Sequence, residues 1–368
     1  MTTYYVAESD LQRLVQEREG MSIFAPALRH TQGGLRLSGP AQTRGFAWMD
    51  STGAEPSLAA LSQPRAAQSP KGFSLPAAES MGRYGSAGAT ATSVETQSCV
   101  LVGVRACELR ARRYLDKVML AGPFADPLYA QRREATTIVS CDCVDCAETC
   151  CCTLVGGQPH ATTDYDANLT PIDGGYVVDV ATERGEQWLG GGDKKTFPEA
   201  TAEQLARRDR GRKEMVERVT RQNARFSFAA SDDTQPGLPD DADEAWQRFA
   251  ADCVECGACT NICPTCYCFY LYDQVLGPEE FERVRTWDSC LLSTYHRMAG
   301  GVGMKLTPRP RLSSRLANRV LHKFTYSPEQ CGLLGCVGCG RCIDACLGAI
   351  DIREVVQALG APRREQGQ

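Results

Sequence analysis

The chain has 368 residues, a formal charge of −5 and 20 cysteines. Its length exceeds one small core and predicts two or three domains. The mildly acidic balance argues against a dedicated nucleic-acid binder, and no apolar run approaches the ~18 residues that a membrane span requires.

The first residues, MTTYYVAESDLQRLVQ, lack a basic stretch followed by an apolar one. No signal peptide is expected, and a cytoplasmic, reducing location is. Residues 10–19 predict a short amphipathic helix with Leu11, Leu14 and Val15 on one side. The stretch to about residue 60 mixes short apolar pieces with Gly and Pro, which predicts short strands and turns. Residues 51–71 and 83–97, rich in Ala, Ser, Gly and Thr, read as loops.

CVLVGVRACELRARRYLDKVML follows. Val100 to Val104 predict a buried strand, Arg105 to Glu108 a turn and residues 109–119 a helix: an α/β unit. Cys107 then lies at the carboxyl end of the strand, where such folds bind ligands. Taken alone, it reads rather as a small buried hydrophobe. A second strand-like run, TTIVS, leads into Cys141, Cys143, Cys146, Cys150, Cys151 and Cys152. So many thiols in one stretch are not packing. Four of them could hold zinc, or three could join Cys107 around an iron–sulfur cluster, and the spacing leaves both open.

YVVDVAT predicts a strand after a Gly-Gly turn, and Glu199 to about Phe226 a charged, solvated helix. Residues 229–243 read as a Pro-, Gly- and Asp-rich linker, and Glu244 to Asp252 as a short helix. The expected layout is therefore an α/β (α+β) region over 1–228 with a Cys-rich site, a linker over 229–243, a mostly helical two-cluster ferredoxin-like domain over 244–356, and a polar tail over 357–368.

That second domain rests on two runs. Cys253, Cys256, Cys259 and Cys263, followed by Pro264, match C-x2-C-x2-C-x3-C-P, and Cys336, Cys339, Cys342 and Cys346 repeat the spacing. Such a loop wraps three corners of a [4Fe–4S] cube with one continuous backbone, and Gly257 and Ala258 let that backbone come close. In two-cluster ferredoxins the fourth cysteine ligates the other cluster. One cluster is thus assigned Cys253, Cys256, Cys259 and Cys346, and the other Cys336, Cys339, Cys342 and Cys263. An uncrossed arrangement would use the same eight residues. Cys266, Cys268, Cys290 and Cys331 remain as buried thiols, redox-active thiols or ligands of another centre.

His30, His160, His296 and His322 are scattered and form no catalytic pattern. GVGMK at 301–305 lacks phosphate-loop spacing and reads as a flexible loop. No flavin, nucleotide or haem site is expected. Arg105, Lys323 and Arg341 could lie near clusters and raise their potentials, but read rather as surface charges.

These motifs resemble the iron–sulfur beta subunit of cytoplasmic nickel–iron sulfhydrogenases and the corresponding iron–sulfur subunit of anaerobic sulfite reductase. The resemblance runs nearly end to end: FAP at 24–26, KGFSLPAAE at 71–79, VGVRACEL at 102–109, CAETCCC, ACTNICPTCYCF, TWDSC, MAGG and CVGCGRCIDAC. It implies a third cluster site of Cys107, Cys143, Cys150 and Cys152. Cys151 stands where the family carries an aromatic residue, and Cys141 competes with Cys143. It also implies a non-catalytic electron-transfer subunit of an oxidoreductase complex. Its partners would be a flavoprotein that handles NAD(P)H and a catalytic subunit, either a nickel–iron hydrogenase or a sirohaem sulfite reductase. Two rivals are a reductase of sulfur compounds or disulfides using its own Cys-rich site, and a redox-sensing iron–sulfur protein.

Overall fold

The computed structural model describes residues 2–16, 22–28, 46–50, 58–86, 88–92, 98–190, 197–298 and 307–360. The 301–305 segment, His30, and residues 51–57 and 93–97 of the two expected loops lie outside them.

The first half alternates strands and helices: β1 (Thr2–Ala7), α1 (Glu8–Gln16), β2 (Ser22–Leu28), β3 (Phe46–Asp50), α2 (Lys71–Ser74), β4 (Ala78–Gly85), β5 (Gly88–Ala91), β6 (Cys99–Val104), α3 (Ala106–Met119), α4 (Pro127–Glu134), β7 (Thr136–Cys141), β8 (Ala167–Ile172), β9 (Gly175–Val180), α5 (Glu183–Gly190) and α6 (Ala202–Gln222). A seven-stranded sheet runs in the order β1-β9-β8-β7-β6-β2-β3. Its centre, β2, β6, β7 and β8, is parallel, and its flanks are antiparallel. Every residue of β7 and β9 is buried, as apolar strands covered on both faces require. The mixed α/β character expected of this region is present. The amphipathic helix ends at Gln16, with Leu11 and Val15 in the sheet's core.

The parallel centre fixes the first cysteines. Because β6 and β7 run side by side, their carboxyl ends coincide. Cys107 then falls in the first turn of α3, and Cys143 to Cys152 fall in the loop that leaves β7. α3 starts within the turn read from sequence. Arg105 and Glu108 form its capping box, the Arg105 N–H donating to Glu108 Oε2 at 2.8 Å.

The second half contains α7 (Trp246–Ala250), α8 (Ala258–Asn261), β10 (Phe269–Gly277), β11 (Glu280–Trp287), α9 (Leu312–Leu321), α10 (Ser327–Cys331), α11 (Arg341–Asp344) and α12 (Ile352–Leu359). Trp246, Ala317, Val320, Phe324, Val355 and Val356 form its core. A ribbon that the sequence reading did not include, β10–β11, joins β4 and β5 in a four-stranded antiparallel sheet, order β10-β11-β4-β5. The loop expected over 83–97 is therefore strand at 83–85 and 88–91. MGRYGSAGATA is poor in strand-forming residues, so pairing with β11 imposes the conformation. Buried Arg285 on β11 fastens this sheet, donating to Glu79 Oε1 at 3.0 Å and pairing with Asp126.

Candidate metal centres

The two cysteine runs adopt one backbone path. In the first, Glu255 and Gly257 have positive φ (55° and 68°); in the second, Gly338 and Gly340 do (66° and 73°). Gly257 and Gly340 each open a one-turn helix, α8 and α11. At Gly338 and Gly340 glycine is needed twice over. Besides the left-handed φ, an added Cβ would lie 2.6 Å from the Cys151 carbonyl oxygen and 2.3 Å from that of Thr149. The second loop is thus pressed against the Cys-rich loop that leaves β7, and the Cys151 N–H donates to Gly338 O at 2.8 Å.

The thiols gather in three groups. A pocket enclosing about 450 Å³ of empty space, its open mouth included, is lined by Cys253, Cys256, Cys259 and Cys346, with Cys342 of the second run, Leu291 and Arg319 among the walls. Burial, and then repulsion from Cys259, Cys346 and Cys256, pushes the Cys253 thiol above its ordinary range. Cys263, the last cysteine of the first run, instead faces the second. Burial, opposed by Arg319, pushes Cys342 up to about 12, with Cys263, Cys339 and Cys336 adding repulsion. Cys346 thus lies along one pocket with Cys253, Cys256 and Cys259, and Cys263 lies beside Cys342 and Cys336 of the second run.

The third group lies at the ends of β6 and β7. Burial raises Cys143, opposed by Arg105, with Cys152 and Cys150 the nearest repelling thiols. Cys107 is raised by burial and by Glu108, with Cys339 and Cys143 beside it. The surplus cysteines point elsewhere. Cys141 is in the core of the large sheet, its S–H directed at Leu61 O (3.9 Å). Cys146 donates to Gln222 Oε1 at 3.2 Å. Cys151 is raised by burial and by Cys336, toward the second run. Helix α6 does more than face solvent: its C-terminal Gln222 donates to Cys150 O at 2.6 Å, and Asn223 to the same oxygen at 2.8 Å.

Arg105, Lys323 and Arg341, expected at the surface, are buried, at 2%, 4% and 1% exposure. Each neutralises and orders a cysteine loop. Arg105 donates to Cys141 O (3.2 Å) and Asp142 O (2.9 Å). Arg341 pairs with Glu108 and donates to Ala66 O at 3.1 Å. Lys323 sits on a π-helical turn (His322–Tyr326) and donates to Cys263 Sγ at 3.2 Å, Thr265 Oγ1 at 2.9 Å and Gly335 O at 3.0 Å. The sequence reading missed Arg65 and Arg319. Arg65 donates to Cys339 O, to Thr149 Oγ1 (3.2 Å) and to Asp344 Oδ2 (2.7 Å). Burial alone would lower the Arg65 pKa, but Cys150, Cys339 and Asp344 raise it. Arg65 Nη1, Arg319 Nε and Arg341 Nη1 are buried without a partner among the described residues. Unpartnered cationic donors beside thiols suit an anionic group held there. Among the described residues no three His, Cys, Asp or Glu side chains converge on one point as ligands of a single ion do. Thiols set around a wider space suit a cube.

Over 257 residues the chain is 33% identical to the beta subunit of sulfhydrogenase 2 from Pyrococcus furiosus, covering 68% of this chain and 71% of that protein. The chain belongs to the sulfhydrogenase beta-subunit family. A family model for a 4Fe-4S dicluster domain matches residues 252–350, which hold both runs, α8 to α11 and the β10–β11 ribbon. No solved structure matches the chain. No helix among the described residues is long and apolar enough to cross a membrane.

Proposed function

We propose that the chain is a one-electron relay subunit of a heteromeric oxidoreductase, carrying electrons between a flavoprotein that handles NAD(P)H and a hydrogenase-type or sulfite-reducing catalytic subunit. The observation that carries this reading is the position of the last cysteine of each run: Cys346 lines a pocket with Cys253, Cys256 and Cys259, and Cys263 lies beside Cys336 and Cys342. On this reading the two runs exchange their fourth ligands and build two adjoining four-thiol sites, which suits passage of charge from one to the next. One cluster is held by Cys253, Cys256, Cys259 and Cys346, the other by Cys336, Cys339, Cys342 and Cys263. Cys107, Cys143, Cys150 and Cys152 hold a third, beside the second through the Cys151–Gly338 contact. When bound, each cluster supplies reversible one-electron chemistry.

The chain's own groups insulate and tune these sites. Lys323, Arg319, Arg65 and Arg341 put positive charge in a medium of low dielectric, which favours the reduced state. Leu291 and Leu316 wall the outer pocket. The layout of an α/β region, a connecting segment over 229–243 and a dicluster unit fits a wire whose two ends face different partners.

Reduced viologen offered to the cluster-loaded chain should bleach its visible absorbance, and cytochrome c should reoxidise it. The isolated chain should show no turnover of hydrogen, sulfite or a sulfur compound with an artificial donor. Substrate turnover by the chain alone would replace the relay with a reductase.

A further inference from the structure

Cys266, Cys268 and Cys290 lie outside all three ligand sets, yet the fold gathers them. Cys268 immediately precedes β10, and the Asp288 N–H donates to its carbonyl at 2.9 Å, so Cys290 follows close by on the opposite strand's exit. The buried Cys290 thiol hydrogen-bonds to the Cys268 sulfur. Cys268, half-buried, also accepts from the Tyr295 hydroxyl. On the inner side Cys266 neighbours Cys290 and hydrogen-bonds to Cys263. The sulfurs form a file outward from the second cluster's ligands: Cys263, Cys266, Cys290, Cys268. The outer two, hydrogen-bonded to one another, form a pair.

We propose that Cys268 and Cys290 are a redox-active dithiol that closes to a disulfide with a low-molecular-mass disulfide and is reopened by electrons from the clusters. This rests on the relay reading. Closure is thiol–disulfide exchange. The Cys268 thiolate attacks one sulfur of RSSR, forming a Cys268–SR bond and expelling RS⁻. Cys290 then gives up its proton and attacks the Cys268 sulfur, forming the protein disulfide and expelling the second RS⁻. The two thiol protons leave with the products as two RSH. Reopening takes two electrons, delivered singly, and two protons, and returns both thiols. The division of labour is built in. The Cys290 hydrogen bond, against burial and with help from Tyr295 and Lys323, holds the Cys268 thiol down to about 6, while Cys290 is pushed up and keeps its proton. The attacking sulfur belongs to the half-buried residue and the resolving sulfur to the buried one.

The test is differential alkylation with mass spectrometry on the cluster-loaded full chain under argon. Oxidised glutathione should protect Cys268 and Cys290 together, joined in one peptide pair, and reduced viologen should then free both. Cys268→Ser and Cys290→Ser should each abolish paired protection, with iron per chain unchanged. Both thiols alkylating fully after glutathione disulfide would overturn the proposal. So would a loss of about four irons per chain in either variant, which would make them cluster ligands. Clusters that bleach while the disulfide stays closed would also overturn it. Clusters that fail to bleach would instead overturn the relay reading, with disulfide formation by glutathione unaffected.

Discussion

Replacing Lys323 by Met removes one buried positive charge and keeps the length of the side chain. Burial would favour the neutral amine, but Cys263 and Cys266 outweigh it and hold Lys323 charged. Its Nζ lies 3.2 Å from Cys263 Sγ, so an electron entering the group held by Cys263 meets this charge within about 6 Å. At an effective dielectric near 20 the attraction is about 2.8 kcal/mol. That equals roughly 120 mV for a one-electron couple. Lys323→Met should therefore lower the potential of the second cluster by about 100 mV, leave the first nearly unmoved, and be largely rescued by Lys323→Arg. Anaerobic redox titration followed by EPR reads both potentials. An unchanged second potential with full iron content, or an equal shift of both, would refute the electrostatic reasoning.

Cys346→Ser should remove the signal of the first cluster and spare the second, and Cys263→Ser the reverse; an uncrossed arrangement predicts the opposite pattern in EPR. Cys150→Ser should cost about four irons per chain, whereas Cys151→Ser, which faces the second run, should keep them. Gly340→Ala places a Cβ 2.3 Å from Thr149 O at φ +73° and should destabilise the chain by at least about 2 kcal/mol in chemical denaturation. Gly332→Ala, at φ +69° with nothing within 4 Å, should cost about 1 kcal/mol. Burial first, and then Lys323, holds His322 down to about 4 from 6.5. The unfolded chain binds that proton more readily, so this contribution is complete above pH 6.5 and is lost as pH falls to 4. The loss amounts to up to about 3 kcal/mol, and His322→Gln should flatten that part of the denaturation profile.

The legible features were those that local spacing decides. The C-x2-C-x2-C runs, the VLVGV strand and the charged α6 helix each announce themselves within a few residues. The β10–β11 ribbon did not, because FYLYDQVLG followed directly on a cysteine motif and its partner strand β4 lies in a Gly- and Ala-rich stretch far away in sequence. Lys323 and Arg341 were misread for a related reason. A charged residue is normally solvated, and only the thiols gathered around these two compensate their burial. The adjacency of Cys107 and Arg341 to Glu108, 233 positions from Arg341, is likewise a product of topology. Arg65 carried no local signal at all. It sits in a Gln-Pro-Arg-Ala-Ala stretch, and its role appears only once the 65–68 segment is threaded between α3 and the second loop.

Iron and acid-labile sulfide, quantified on the anaerobically purified chain together with EPR of its reduced form, test the central claim most directly. The account predicts about twelve irons and twelve sulfides per chain, at four per cube, with broadened, interacting signals from neighbouring clusters. A chain containing zinc without sulfide, or a single isolated cluster, would contradict it.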